Sequence, residues 1–90
     1  MNPVRPAAST PAAIRWSPTW AGARFADDFT GIVPGNVAVR ARVFRLRAVA
    51  GTDRWAWTIA EQARCLGSGE EKSFAAAAER AASSYRLSHG

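Results

Sequence analysis

A single cysteine, Cys65, and a single histidine, His89, stand among the 90 residues of this chain. One thiol excludes an intramolecular disulfide and makes a reducing interior the expected compartment, so the chain reads as cytoplasmic. Beside Leu66, Cys65 is expected to be a small core residue. His89 lies one residue from the C-terminus and reads as a solvated tail residue, so neither a Ser-His-acid nor a Cys-His arrangement has a rigidly held base. No CxxC or HExxH spacing occurs, and Asp27-Asp28 reads as a solvated turn, so neither a metal nor a cofactor is expected. The chain also lacks a long uninterrupted apolar run, which excludes a membrane span, and it lacks the apolar h-region of a secretory signal. Enzymatic chemistry is not expected.

Lysine is nearly absent as well: of the twelve basic residues only Lys72 is not arginine, and they outnumber seven acids to give a net charge of +5. Residues 1 to 24 hold three arginines and no acid, residues 37 to 54 hold five arginines and Asp53, and residues 55 to 90 balance four cations with four acids. The basic potential therefore belongs to the N-terminal segment and the middle of the chain, where an anionic partner would be steered. An alanine-rich, arginine-rich composition also follows from GC-rich coding, so the preference for arginine does not itself signal phosphate recognition.

The chain is organised around Val37 to Ala48, VAVRARVFRLRA. At strand period, Val37, Val39, Ala41 and Val43 share one face and Arg40 and Arg42 the other. Beyond Val43 the alternation reverses, which would place Arg45 and Arg47 on the apolar side. A β-bulge near Val43 and Phe44 would repair the phase and leave Arg40, Arg42, Arg45 and Arg47 in one row. The alternative is a regular strand whose far end projects past the core, with the guanidinium stems snorkelling to water.

Before this strand, residues 1 to 36 read as a Pro/Ala-rich N-terminal arm, flexible over residues 1 to about 15. A short helix could begin at Ser17-Pro18 and carry Ala21, Phe25 and Phe29; otherwise the segment lays its aromatics irregularly across the core. Ile32 to Asn36, IVPGN, is a turn signature in which Pro34 presets φ and Gly35 supplies a positive φ. Ala50 to Arg54 suits a hairpin connection. Trp55 to Ala60, WAWTIA, reads as a strand with Trp55, Trp57 and Ile59 on one face and Ala56, Thr58 and Ala60 on the other, followed by a short strand over Arg64 to Leu66. The competing reading is a helix capped by Asp53 that runs to Leu66. Ser68-Gly-Glu-Glu71 matches a capping box and predicts a helix whose apolar stripe is Phe74, Ala77, Ala78, Ala81, Ala82 and Tyr85, with fraying from Leu87 onward.

These elements predict a small α+β domain over residues 37 to 90: an antiparallel meander of about three strands with a C-terminal helix packed on one face, preceded by the arm. Its expected activity is non-catalytic binding, first to a protein partner or to a second copy, because so small a core often gains stability from association and an open sheet leaves strand edges unpaired. Trp16 and Trp20 are candidate docking anchors, or else fold back on their own domain. The alternative is nucleic-acid binding, with Arg40, Arg42, Arg45, Arg47 and Arg54 running along phosphates.

Trp55-Ala-Trp57, the glycine pair Gly67-Ser-Gly69 and the alanine-rich helix after it resemble small uncharacterised bacterial and phage proteins with a strand pair and a closing helix. LGSGEEKSFAAAAERAA is also similar to the end of a double-stranded RNA-binding domain. That likeness implies a Lys-Lys-x-Ala-Lys cluster at the helix start. Glu70, Glu71 and Lys72 stand there instead, so phosphate binding does not carry over.

Overall fold

Pro34 and Gly35 reverse the chain as their chemistry predicts: in the computed structural model, which describes residues 14–20, 27–46 and 53–89, Gly35 has φ +87° and Val33 pairs with Asn36 across the turn. The strand that follows, β3, is the centre of an antiparallel sheet. In chain order the elements are β1 (Arg15–Pro18), β2 (Asp28–Val33), β3 (Asn36–Leu46), β4 (Arg54–Glu61), β5 (Arg64–Glu71) and the helix α1 (Phe74–His89). The five strands lie side by side in sequence order, a simple up-and-down meander. The fold is thus α+β with one helix on one sheet face, and the meander has two more strands than the sequence predicted.

Those two strands come from the segment read as an arm. No helix starts at Ser17-Pro18: Arg15 to Pro18 pair antiparallel with Ile32 to Phe29, and Trp16 lies opposite Gly31. A Cβ on Gly31 would stand 2.4 Å from Ile14 and 2.8 Å from the Trp16 ring, so the missing side chain is the space that Ile14 and Trp16 occupy. Residues 1–13 and 21–26 lie outside the described residues, and with them the outer parts of the predicted arm and helix.

Alternation then decides which face is buried. Val39, Ala41 and Val43 of β3 and Trp57 and Ile59 of β4 are buried on one side, and Ala77 and Ala81 of α1 pack on them with no exposure. Ile14, Trp16, Trp55, Leu66, Phe74 and Tyr85 pack around this centre. Phe74 gathers Trp16, Phe29 and Trp55 around its ring at centroid distances of 5.8, 4.8 and 5.8 Å. The alanine stripe lets the helix axis approach the sheet, and the aromatic cluster fills the wider gap at the helix N-terminus.

Two expectations about the helix ends are corrected. Ser68 caps nothing: β5 continues through Gly67, Ser68 and Gly69 to Glu71, and the capping residue is Ser73, whose Oγ accepts the amide of Ala76 at 3.1 Å. Leu87 to His89 stay helical. His89 is not a free tail residue, because its Nε2 lies 3.2 Å from Glu61 and its ring stacks on Tyr85 at 4.4 Å.

Between β4 and β5 the turn is only Gln62-Ala63, and Gln62 adopts φ +56°, a region that disfavours any residue with a Cβ. Its amide still donates to the Ala38 carbonyl at 2.9 Å. Gln62→Gly keeps that bond and removes the strain, so it should add about 0.5–1 kcal/mol of stability, read as a higher urea midpoint at unchanged m value.

Candidate functional site

One face of the sheet carries the helix; the other has no element over it among the described residues. Cross-strand register fixes what this open face presents. Arg15, Ile32, Arg40 and Ala60 form one row, Ser17, Thr30, Arg42, Thr58 and Ser68 the next, and Asp28, Phe44, Ala56 and Glu70 a third. Leu46 and Arg54 stand opposite each other beyond the third row.

The strand register runs unbroken through Val43 and Phe44 on both sides of β3, so the expected bulge is absent and the regular-strand alternative holds. Phe44 and Leu46 consequently share the open face with Arg40 and Arg42. Arg45 points to the helix side instead, beyond the end of the buried set. It is tolerated there because Asp53 and Asp27 meet it: its guanidinium is hydrogen-bonded to Asp53 and lies 3.4 Å from Asp27, and both raise its proton affinity above that of an ordinary arginine, Asp53 more strongly. The four-arginine row of the bulged strand does not form. Arg47 lies outside the described residues.

Of the remaining arginines, Arg42 and Arg54 have acid partners. Arg42 clamps Asp28 with Nε at 3.0 Å and Nη2 at 2.5 Å, while its guanidinium carbon rests 4.8 Å from the centre of the Phe44 ring. Arg54 lies 3.5 Å from Glu70. Arg40 and Arg15 have no ion-pair partner among the described residues, and Ile32, 45% exposed, lies between them in the same row. The open face thus combines two compensated arginines with two free ones.

Asp28 is the polar centre of this face. Its side chain is only 15% exposed, and it accepts a hydrogen bond from Thr19 at 2.8 Å, while Thr19 also bonds Thr30 at 2.7 Å. The Arg42 hydrogen bond is the largest cause holding its carboxyl below the ordinary range; burial opposes this, and Thr19 and Trp20 add to it. A carboxylate with a depressed folded-state value stabilises the protein above its unfolded value, about pH 3.9, and that contribution fades as pH falls through the folded value. Asp28→Asn should therefore cost about 1–2 kcal/mol at pH 7 and flatten the loss of stability below about pH 4. Urea unfolding of both proteins at pH 7 and pH 2.5 checks the direction.

The two candidate docking tryptophans separate. Trp16 folds onto its own sheet, against Gly31 and edge-on to Phe74, so it is a packing residue rather than a docking anchor. Trp20 is 56% exposed, next to Asp28 on the open side. Cys65 is exposed and not in the core, its Sγ 3.6 Å from the Gly67 carbonyl.

What the sequence did not single out is the trough along β4. Ala56, Thr58 and Ala60 are small, whereas Arg40, Arg42 and Phe44 on one flank and Glu70 on the other are larger, with the small Ser68 beside Thr58. Two depressions, of 230 Å³ and 350 Å³, meet at Thr58 and together follow the strand. Its sequence signal was the polarity of size in WAWTIA, where every second residue is small. Among the described residues no three His, Cys, Asp or Glu side chains gather to hold a metal ion, and no helix is long and apolar enough to cross a membrane. Comparison with protein-family models, with curated proteins and with solved structures yields no match for this chain.

Proposed function

We propose that this chain is a non-catalytic binding module and that a protein partner docks on its open sheet face. The observation that carries this reading is the trough over Ala56, Thr58 and Ala60, bordered by Phe44 and by Arg40, which has no acid partner among the described residues, with the exposed Ile32 one strand beyond Arg40 in the same row. Small residues on the floor let a partner's side chains approach the backbone, the aliphatic and aromatic rim supplies apolar contact, and free guanidiniums select a partner bearing acids. Trp20 extends the surface as an exposed aromatic.

Nucleic-acid binding is the second reading, supported by Arg15 and Arg40 standing in one row without an acid partner among the described residues. It is the weaker one, since Asp28 and Glu70 lie on the same face and neutralise Arg42 and Arg54. Affinity capture with the wild-type chain and with the double variant Ile32→Asp, Arg40→Glu separates the two. A nuclease-resistant protein partner whose retention falls at least thirtyfold with the variant, about 2 kcal/mol, supports docking on this face. Retention of a mixed nucleic-acid pool that weakens steeply with salt, without any such partner, replaces it with the second reading.

A further inference from the structure

The sheet has two free edges of different character. β1 is four residues long and ends at Pro18, both features that blunt an edge against further pairing. β5 is eight residues long, contains no proline, and none of its backbone groups bonds outward to another described segment. Such an edge is a template for an added strand. Its sequence, RCLGSGEE, carries opposite charges at its two ends: Arg64 opens it, Glu70 and Glu71 close it, and the uncharged Cys65, Leu66, Gly67, Ser68 and Gly69 lie between.

We propose that β5 pairs antiparallel with β5 of a second copy, about a twofold axis at Ser68, to make one continuous ten-stranded sheet. An antiparallel strand pair related by such an axis brings the start of each strand to the end of the other. Leu66 bulges out of the pairing with β4, so Arg64 and Glu71 each lie three ladder positions from Ser68, and Arg64, which has no acid partner among the described residues, then faces Glu71 of its copy at both ends of the junction. Among the described residues Glu70 is held only by Arg54 at 3.5 Å and Glu71 only by Arg80 at 3.6 Å, long contacts that leave carboxylate oxygens for a second cation. The glycines and serine place no bulky side chain where the backbones meet. Charge complementarity of the strand with its own reverse favours a second copy over an unrelated strand, because a foreign segment would need the same acid-to-base order.

The twofold axis stands perpendicular to the sheet, so both helices lie on one side and both open faces on the other. The pair presents two troughs side by side, and a partner with two matching segments gains from linkage without new contacts. This inference is independent of what docks on the open face.

Sedimentation equilibrium of the full chain, in reductant so that exposed Cys65 forms no cross-link, tests it between 1 µM and 1 mM. The expected result is a mass rising from 9.6 kDa toward twice that value. Arg64→Glu should weaken the dimer at least tenfold, as should Glu70→Lys with Glu71→Lys, and the triple charge swap should restore it. Circular dichroism establishes that each variant is folded, and amide exchange of β5 that slows with concentration locates the junction. A monomer at 1 mM overturns the proposal, as does a dimer indifferent to Arg64→Glu. Ile32→Asp with Arg40→Glu leaves this dimer unchanged, which separates its failure from a failure of the docking reading.

Discussion

Trp57→Ala is expected to remove about 3–5 kcal/mol of stability, a large fraction of what holds a domain of this size folded. Trp57 is 5% exposed and lies in the middle of β4, between Val43 on β3 and Gly69 on β5. Its indole spreads over the two glycines of β5, and a Cβ on Gly67 would stand 3.2 Å from its Cη2. Truncation empties this space, and neither neighbour can fill it: the glycines have no side chains, and Val43 is already buried with no exposure.

The indole also carries a cost. Its Nε1 is buried without a hydrogen-bond partner among the described residues. An unmet buried donor costs about 1–3 kcal/mol. Trp57→Phe gives up ring area but removes that donor, so its net loss should be about 1 kcal/mol, several-fold smaller than for alanine. Urea unfolding of the three proteins provides the comparison. Equal losses for phenylalanine and alanine would show that the Nε1 proton contributes a bond and that the donor is not orphaned.

Strong local periodicity made part of this fold legible. β3 and β4 could be read because valines, tryptophans and isoleucine recur at period two, and the helix stripe from Phe74 to Tyr85 recurs at helical spacing. β1 could not: four residues ending in proline have no period, and what holds them is the fit of Trp16 over Gly31, fifteen positions away. The phase of Arg45 was hidden for the same reason. Nothing local distinguishes a bulge from a regular strand that overhangs the core; the answer depends on Asp27 and Asp53, which reach Arg45 from other segments.

The candidate site was half legible. That Arg40 and Arg42 point outward follows from alternation alone. That Arg42 is held by Asp28 and Arg54 lies against Glu70, while Arg40 has no acid partner among the described residues, depends on neighbours brought in by strand order. A row of arginines in sequence is therefore a weaker statement about charge than the sheet makes. Only pairing shows which cations remain available to a ligand.

Gly67 and Gly69 show how a local signal misleads, and they carry the second large expected effect. Glycines flanking a serine ahead of an alanine-rich run read as a turn and a helix start. In the sheet they are alternate residues of β5 facing the core, the spacing needed to lay a flat indole across a strand. A Cβ on Gly69 would lie 2.8 Å from Trp57 Nε1, and one on Gly67 would lie 2.6 Å from the Ser84 Oγ of α1. Both distances are shorter than atoms can sustain, so the ring or the helix must move. Gly69→Ala should cost about 2–3 kcal/mol, because the ring lies against β5 within the buried core and is not free to swing away. Gly67→Ala should cost about 1–2 kcal/mol, because a serine hydroxyl can rotate away. Ser68→Ala, one residue along and on the exposed face, should change stability by less than about 0.5 kcal/mol. Alternation of large, small and large effects along three successive residues is what a strand over a tryptophan demands. A turn at this position would make all three substitutions mild, and chemical unfolding of the three variants distinguishes the two.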